Sequence, residues 1–188
     1  MGTPLAIPRR RLSVDEYHRL GAAGVLHEDE RIELIEGEMI EMAPIGSRHL
    51  AKVNRLSRML GREVGDEATV STQNPLSLPP EDEPVPDIAL LKVRADDYEA
   101  AIPTAQDVLL VIEVADTTLA YDRDVKIPLY ARCGIPEVWL VNVQSQALSI
   151  YLDPGPKGYR TLLTPGIDEI ISPSLLPQAK VKLAQLWG

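Results

Sequence analysis

The chain carries a single cysteine, Cys133, so no internal disulfide can form and a reducing cytoplasm is the expected compartment. No stretch is long and apolar enough to span a bilayer, so no membrane association is expected. Residues 1–7 lack the basic region and long apolar core of a signal peptide. Positive charge is in short supply too: 19 Lys and Arg stand against 28 Asp and Glu, a formal net charge of −9. That balance argues against a protein that coats nucleic acid through many phosphate contacts. It leaves room for an enzyme whose carboxylates recruit cations and whose few basic residues are localised. The sequence has no internal repeat, no low-complexity tract and no glycine-rich loop of the kind that cradles phosphate.

What is present is an ordinary globular balance over 188 residues, 45% apolar and 25% charged. That length supports one domain with a sizeable core. Residues 1–12 read as a tail, and 13–188 as the domain. Ser13 and Glu16 fit a capping box for a short helix over 13–21. Two alternating segments flank Glu36 and Gly37 within residues 31–42 and predict a β-hairpin. Leu50, Val53, Leu56, Leu60 and Val64 recur at helical spacing and predict a helix over 47–64. Residues 68–72 and 85–91 read as strands separated by a proline-rich loop. Residues 108–114, apolar on both faces, predict a strand in the middle of a covered sheet. A helix is expected over 122–132, with a kink or late start at Pro128. A second hairpin follows over 137–152, then short strands at 159–163 and 169–172 and a short helix at 181–187. The mixed order points to α/β or α+β, with helices covering a mixed central sheet.

Two carboxylates stand out against this background. Asp87 sits in the apolar segment 85–91, and Glu113 sits inside the strand 108–114. Burying a carboxylate among Val, Leu and Ile costs several kcal/mol unless something positive compensates it. A divalent cation compensates two converging carboxylates, which points to a Mg²⁺-type (or Mn²⁺-type) hydrolytic site. Lys126, on the helix after Glu113, is placed to orient water or stabilise phosphate charge, and Glu33 on the first hairpin to add a ligand. Each residue also has a plainer reading. Asp87 after Pro86 can simply start a strand, and Glu33 can face water. Lys126 can pair with Asp122 four residues earlier, for a few tenths of a kcal/mol. Glu113 is the hardest to explain away.

Four further residues are open. His49 reads as a surface or partly packed residue, or as a neighbour of the site. Gln73 reads as a turn-facing amide or a site contact. Asp116 either caps the loop before the helix or backs the site, and Tyr130 either packs in the core or hydrogen-bonds into the site. Cys133 has no evident base partner and is not a candidate nucleophile. The basic stripe Arg48, Lys52, Arg55, Arg58 and Arg62 reads as a solvated helix face. Apolar positions in the second hairpin, Ile150 and Leu152, look exposed and point to a homodimer.

Four motifs carry a family resemblance: residues 31–38 (RIELIEGE), 85–89 (VPDIA), 111–118 (VIEVADTT) and 121–131 (YDRDVKIPLYA), the last running on into 134–141 (GIPEVWLV). In order and spacing they resemble the Uma2 (DUF820) family of the PD-(D/E)XK nuclease superfamily, over about residues 12–185. The resemblance implies a restriction-endonuclease-like fold, a divalent metal cofactor and DNA as substrate. It makes Asp87 the Asp of the PD element, Glu113 the following acidic residue and Glu33 the early acidic residue. The lysine usual two positions after Glu113 is replaced by Ala115; Lys126 on the adjacent helix is the matching candidate. Three functions follow in order: a metal-dependent DNA endonuclease, a catalytically inactive module of the same fold that binds nucleic acid or protein, and a hydrolase of another phosphate ester.

Overall fold

The computed structural model describes residues 10–27 and 29–187. The first nine residues of the expected tail, Arg9 among them, lie outside the described residues. Helix α1 (Val14–Ala22) opens with the capping box: the Ser13 hydroxyl accepts from the Glu16 amide, and the Glu16 carboxylate accepts from the Ser13 amide. Strands β1 (Ile32–Ile35) and β2 (Glu38–Glu41) form the first hairpin. Gly37 in its turn has φ +73° and lies against Arg11 and Leu12, a position only glycine fills without strain.

Helix α2 (Ser47–Val64) leads to β3 (Thr69–Thr72) and β4 (Ile88–Leu91), and β5 (Val108–Ala115) follows. Next come α3 (Leu119–Tyr121), a π-helical turn (Asp122–Lys126) and α4 (Ile127–Arg132). Strands β6 (Glu137–Asn142) and β7 (Ala147–Leu152) make the second hairpin, and β8 (Thr161–Leu163) extends it. Strands β9 (Ile170–Ile171) and β10 (Val181–Lys182) pair as a small antiparallel ribbon before α5 (Leu183–Trp187).

Six strands form one sheet in the order β3-β4-β5-β6-β7-β8, with β5 and β6 parallel and the other neighbours antiparallel. This is the mixed central sheet flanked by helices that the sequence predicts. Strand β5 is buried along its whole length. Leu110, Ile112 and Val114 pack with Leu56 and Leu60 of α2 and Leu186 of α5. Val111 and Ala115 pack on the other side with Leu129 and Tyr130 of α4. The alternation that makes β5 apolar on both faces is therefore what two helical layers require. Among the described residues no helix is long and apolar enough to cross a membrane.

Several expectations need correction. Leu50, assigned to the apolar face of α2, is 47% exposed; the buried stripe is Val53, Leu56, Leu60 and Val64. Strand pairing in β4 starts at Ile88, so Asp87 precedes the strand. Residues 181–182 are strand, because Val181 pairs with Ile171, and only 183–187 are helical. The helix expected from 122 begins at Leu119, and Pro128 does not break it. The Ile127 amide bonds to the Asp122 carbonyl five residues back, and this π turn brings the chain to a proline in the first turn of α4. Ile150 is buried and Leu152 packs against the core, because both pack with the cluster that holds Trp139, Leu148 and Ile171. The homodimer loses the observation that pointed to it.

Candidate active site

Strand register assembles the centre of the site. Thr72 pairs with Ile88, and Ile88 pairs with Ile112. One step further along the same row stand Gln73, Asp87 and Glu113, on three adjacent chain segments. The Gln73 amide donates to the Asp87 carbonyl at 3.1 Å. The Gln73 side-chain amide donates to Asp87 Oδ1 at 3.3 Å. The Val114 amide donates to Asp87 Oδ2 at 2.9 Å, and the Asp87 amide lies 3.4 Å from Glu113 Oε2. Antiparallel pairing thus places the two carboxylates side by side at one end of the sheet.

Helix α2 supplies His49 from its first turn, and His49 Nε2 lies 2.9 Å from Asp87 Oδ2. That hydrogen bond raises the pKa of His49, while burial opposes the rise. Among the described residues, His49 Nδ1 is buried without a hydrogen-bond partner. A neutral ring that donates from Nε2 leaves only a lone pair unsatisfied there, whereas the imidazolium would bury an N–H.

The crossover from β5 to β6 supplies the cation. Lys126 Nζ lies 2.9 Å from Glu113 Oε1 and 3.2 Å from Glu33 Oε2, and donates to the Val85 carbonyl at 3.3 Å. Its side chain is 4% exposed. Burial works against its charge, but Glu113 and Glu33 prevail and hold its pKa above the ordinary lysine range. Glu33 reaches this point because β1 bridges the chain at Glu83: Leu34 and Glu83 exchange backbone hydrogen bonds at 3.2 and 2.7 Å. Glu33 Oε2 then accepts from the Val85 amide at 3.1 Å.

Two tyrosines complete the network. Tyr130 donates to Glu113 Oε1 at 2.6 Å, and Tyr121 donates to Glu33 Oε1 at 3.0 Å. Burial pushes Glu113 up to about 8 against the pull of Lys126, with Asp122 and Asp87 adding to the rise. Asp122 is itself raised, mainly by burial, and accepts from the Thr118 hydroxyl at 2.6 Å. The plainer reading of Lys126 as a partner of Asp122 gives way to its contacts with Glu113 and Glu33.

A cavity of about 340 Å³ opens onto this cluster, and Asp87, Glu113, Lys126, Glu33, His49, Asp116, Tyr121 and Asp122 all line it. Asp116 is held at its rim by Arg48, 2.8 Å away. The structure therefore brings together Asp87, Glu113, Lys126 and Glu33. It also places His49, Gln73 and Tyr130 in hydrogen bonds to the two central carboxylates. Tyr121 and Asp122 were missed. Both stand beside Lys126 in the fourth motif, but no periodicity marks them as facing a cavity.

The donor set suits a hard cation. Among the described residues, Asp87 Oδ1 and Glu113 Oε2 each receive one long hydrogen bond, of 3.3 and 3.4 Å, which leaves lone pairs on two residues that line the cavity. Among the described residues no three His, Cys, Asp or Glu side chains form a ready-made metal cage. Mg²⁺ needs none, since it commonly takes one or two carboxylates and fills the rest with water and phosphate oxygen. The residues present fit that pattern.

The comparisons with known proteins agree with the architecture. The Uma2 family profile, described as a putative restriction endonuclease, matches residues 14–184. The chain belongs to the Uma2 family. Among solved structures, a crystal structure of a putative nuclease belonging to DUF820 from Anabaena variabilis superposes with a TM-score of 0.74. It is 18% identical and covers 93% of this chain and 97% of its own, a likeness of fold. No curated protein matches. Membership of Uma2 fixes the frame within which the cluster is to be interpreted, not the reaction it runs.

Proposed function

We propose that this Uma2 protein is a metal-dependent endonuclease that hydrolyses DNA phosphodiester bonds. The observation that carries the reading is the pairing of Asp87 and Glu113 at the base of one cavity, with Lys126 2.9 Å from Glu113. Asp87 and Glu113 are the metal ligands, and Glu33 is a third carboxylate that acts beside them through Lys126. When bound, Mg²⁺ or Mn²⁺ supplies an activated water and neutralises charge on the phosphate. Lys126 presents positive charge to the phosphate oxygens and orients the water. Glu33 and Tyr121 fix the position of Lys126, and Tyr130 fixes Glu113. His49 and Gln73 hold the Asp87 carboxylate from two sides. Burial excludes bulk water, which strengthens each of these charges.

The alternative is a module of the same fold that binds without cutting. It draws support from the alanine at position 115 and from the net charge of −9. Calorimetric titration with Mg²⁺ and Mn²⁺, joined to a plasmid cleavage assay, separates the readings. Asp87→Ala and Glu113→Ala are expected to weaken metal binding and abolish cleavage while the protein stays folded. Metal affinity unchanged in both variants would refute the metal site. Metal binding without cleavage of any DNA form by the wild type would leave the binding module.

A further inference from the structure

We propose that the cavity takes one unpaired nucleotide, so that the preferred substrate is single-stranded DNA or an unpaired end or flap. The inference rests on the nuclease reading above and names its substrate class. It starts from depth. Glu33, Glu113 and Lys126 are each no more than 4% exposed, and the Asp87 side chain is 13% exposed. A phosphodiester must therefore descend into the cavity to meet them. The cavity holds about 340 Å³, near the lower end of the range for small-molecule sites, roughly 300–1,000 Å³. That room suits one nucleotide. A nucleotide of a paired, stacked duplex incurs an unstacking cost to enter a site of that size.

The walls divide by chemistry. The floor is charged, with Asp87 and Glu113. Ile40 of β2, and Met42, Pro44 and Ile45 on the chain leading from β2 into α2, line the same cavity. Residues 42–46 form neither helix nor strand, and Ile45 is 39% exposed. Among the described residues, Met42 and Ile45 join neither buried core cluster. Apolar side chains and a charged floor in one cavity match the base and the phosphate of one nucleotide. The apolar side chains read no hydrogen-bond pattern, so they accept any base, and an already unpaired base enters without the cost of being flipped from a stack.

The test is fluorescence anisotropy with a labelled single-stranded oligonucleotide and the same sequence annealed as a blunt duplex. Both are titrated with wild-type protein in Ca²⁺, an oxygen-seeking cation substituted for Mg²⁺. The single strand is expected to bind at least tenfold more tightly. Met42→Ser combined with Ile45→Ser is expected to weaken single-strand binding about tenfold and to leave calorimetric Mn²⁺ binding unchanged. Both positions lie on a loop, and a thermal melt by circular dichroism checks the fold. Equal or tighter duplex binding overturns the proposal, as does an unaltered single-strand affinity in the double variant. Efficient cleavage of duplex alone would overturn it and leave the nuclease reading standing. If neither DNA binds, the proposal falls, and the metal titration decides the nuclease reading separately.

Discussion

Lys126 lies 2.9 Å from Glu113, and the two are buried together at the base of the cavity. Neither would be stable there alone. Glu113 loses hydration inside an apolar strand, and Lys126 loses it beneath the β1–β2 hairpin. Their attraction offsets part of both penalties, and Glu33 at 3.2 Å from Lys126 adds a second anion. Lys126→Met is expected to destabilise the protein by about 3–5 kcal/mol, because it strands two buried carboxylates. Urea unfolding measures it. Adding Glu113→Gln to the same chain should recover part of the loss. A single-variant loss below about 1 kcal/mol, the range of an exposed pair, would show that the buried cluster contributes little to the fold.

Tyr130 offers a finer probe of the same carboxylate. It is fully buried, and its hydroxyl lies 2.6 Å from Glu113 Oε1. Tyr130→Phe keeps the ring and removes only the donor. The expected cost is about 1–3 kcal/mol, since a buried acceptor loses a partner. Metal affinity should drop as well, by roughly tenfold to a hundredfold, if the hydroxyl orients Glu113 as a ligand. Paired thermal melts and Mn²⁺ calorimetry read the two effects separately. A stability loss with unchanged metal affinity would leave the Tyr130 hydroxyl a structural donor with no part in orienting a ligand.

The parts of this molecule legible in the sequence are those set by local pattern. The run 108–114 announces β5 because a strand covered on both faces has no polar positions to spare, and Glu113 stands out for the same reason. The capping box at Ser13 and the turn at Gly37 are equally local. What stayed hidden depends on register and on neighbours. Gln73 reaches Asp87 only because Thr72 pairs with Ile88, a fact no window around residue 73 contains. Ile150 looks exposed until it is known to join the core with Leu148 and Ile171. Lys126 was legible as a partner of the carboxylates, but helical spacing alone left Asp122 as its plainer partner, and the contacts to Glu113 and Glu33 decide between them.

The basic stripe on α2 is partly engaged within the fold. Lys52 Nζ donates to the Leu186 carbonyl at 2.9 Å and the Trp187 carbonyl at 3.4 Å. Arg55 Nη1 donates to the Leu186 carbonyl at 3.1 Å and the Gln185 carbonyl at 3.3 Å. These carbonyls end α5, where intrahelical donors run out and positive charge is favourable. Lys52 also stands 5.3 Å from the centre of the Trp187 ring. Lys52→Ala is expected to cost about 1 kcal/mol, and the Lys52→Ala/Arg55→Ala pair about 2 kcal/mol. Urea unfolding followed by tryptophan emission measures both. Unaltered midpoints in the pair would show that α5 docks through Leu183 and Leu186 alone.

Cys133, at the end of α4, gives a prediction with a definite sign in pH. It is half-buried, and burial pushes its thiol up to about 11; Asp82 adds to the rise and Arg132 opposes it. The thiolate is the reactive form, so the folded protein at pH 8 should react with a disulfide reagent such as DTNB roughly a hundredfold more slowly than the urea-unfolded chain. The folded-state rate should climb about tenfold per pH unit and level off only as pH passes about 11, whereas the unfolded chain levels off near the ordinary thiol range. Asp82→Asn removes the carboxylate that adds to the rise, so it should speed the folded reaction. Stopped-flow absorbance across the pH range separates the curves. A folded rate within a few-fold of the unfolded rate at pH 8 would mean that the thiol is neither shielded nor raised, and that α4 ends in a more open environment than its packing against Ile35 and Tyr159 provides.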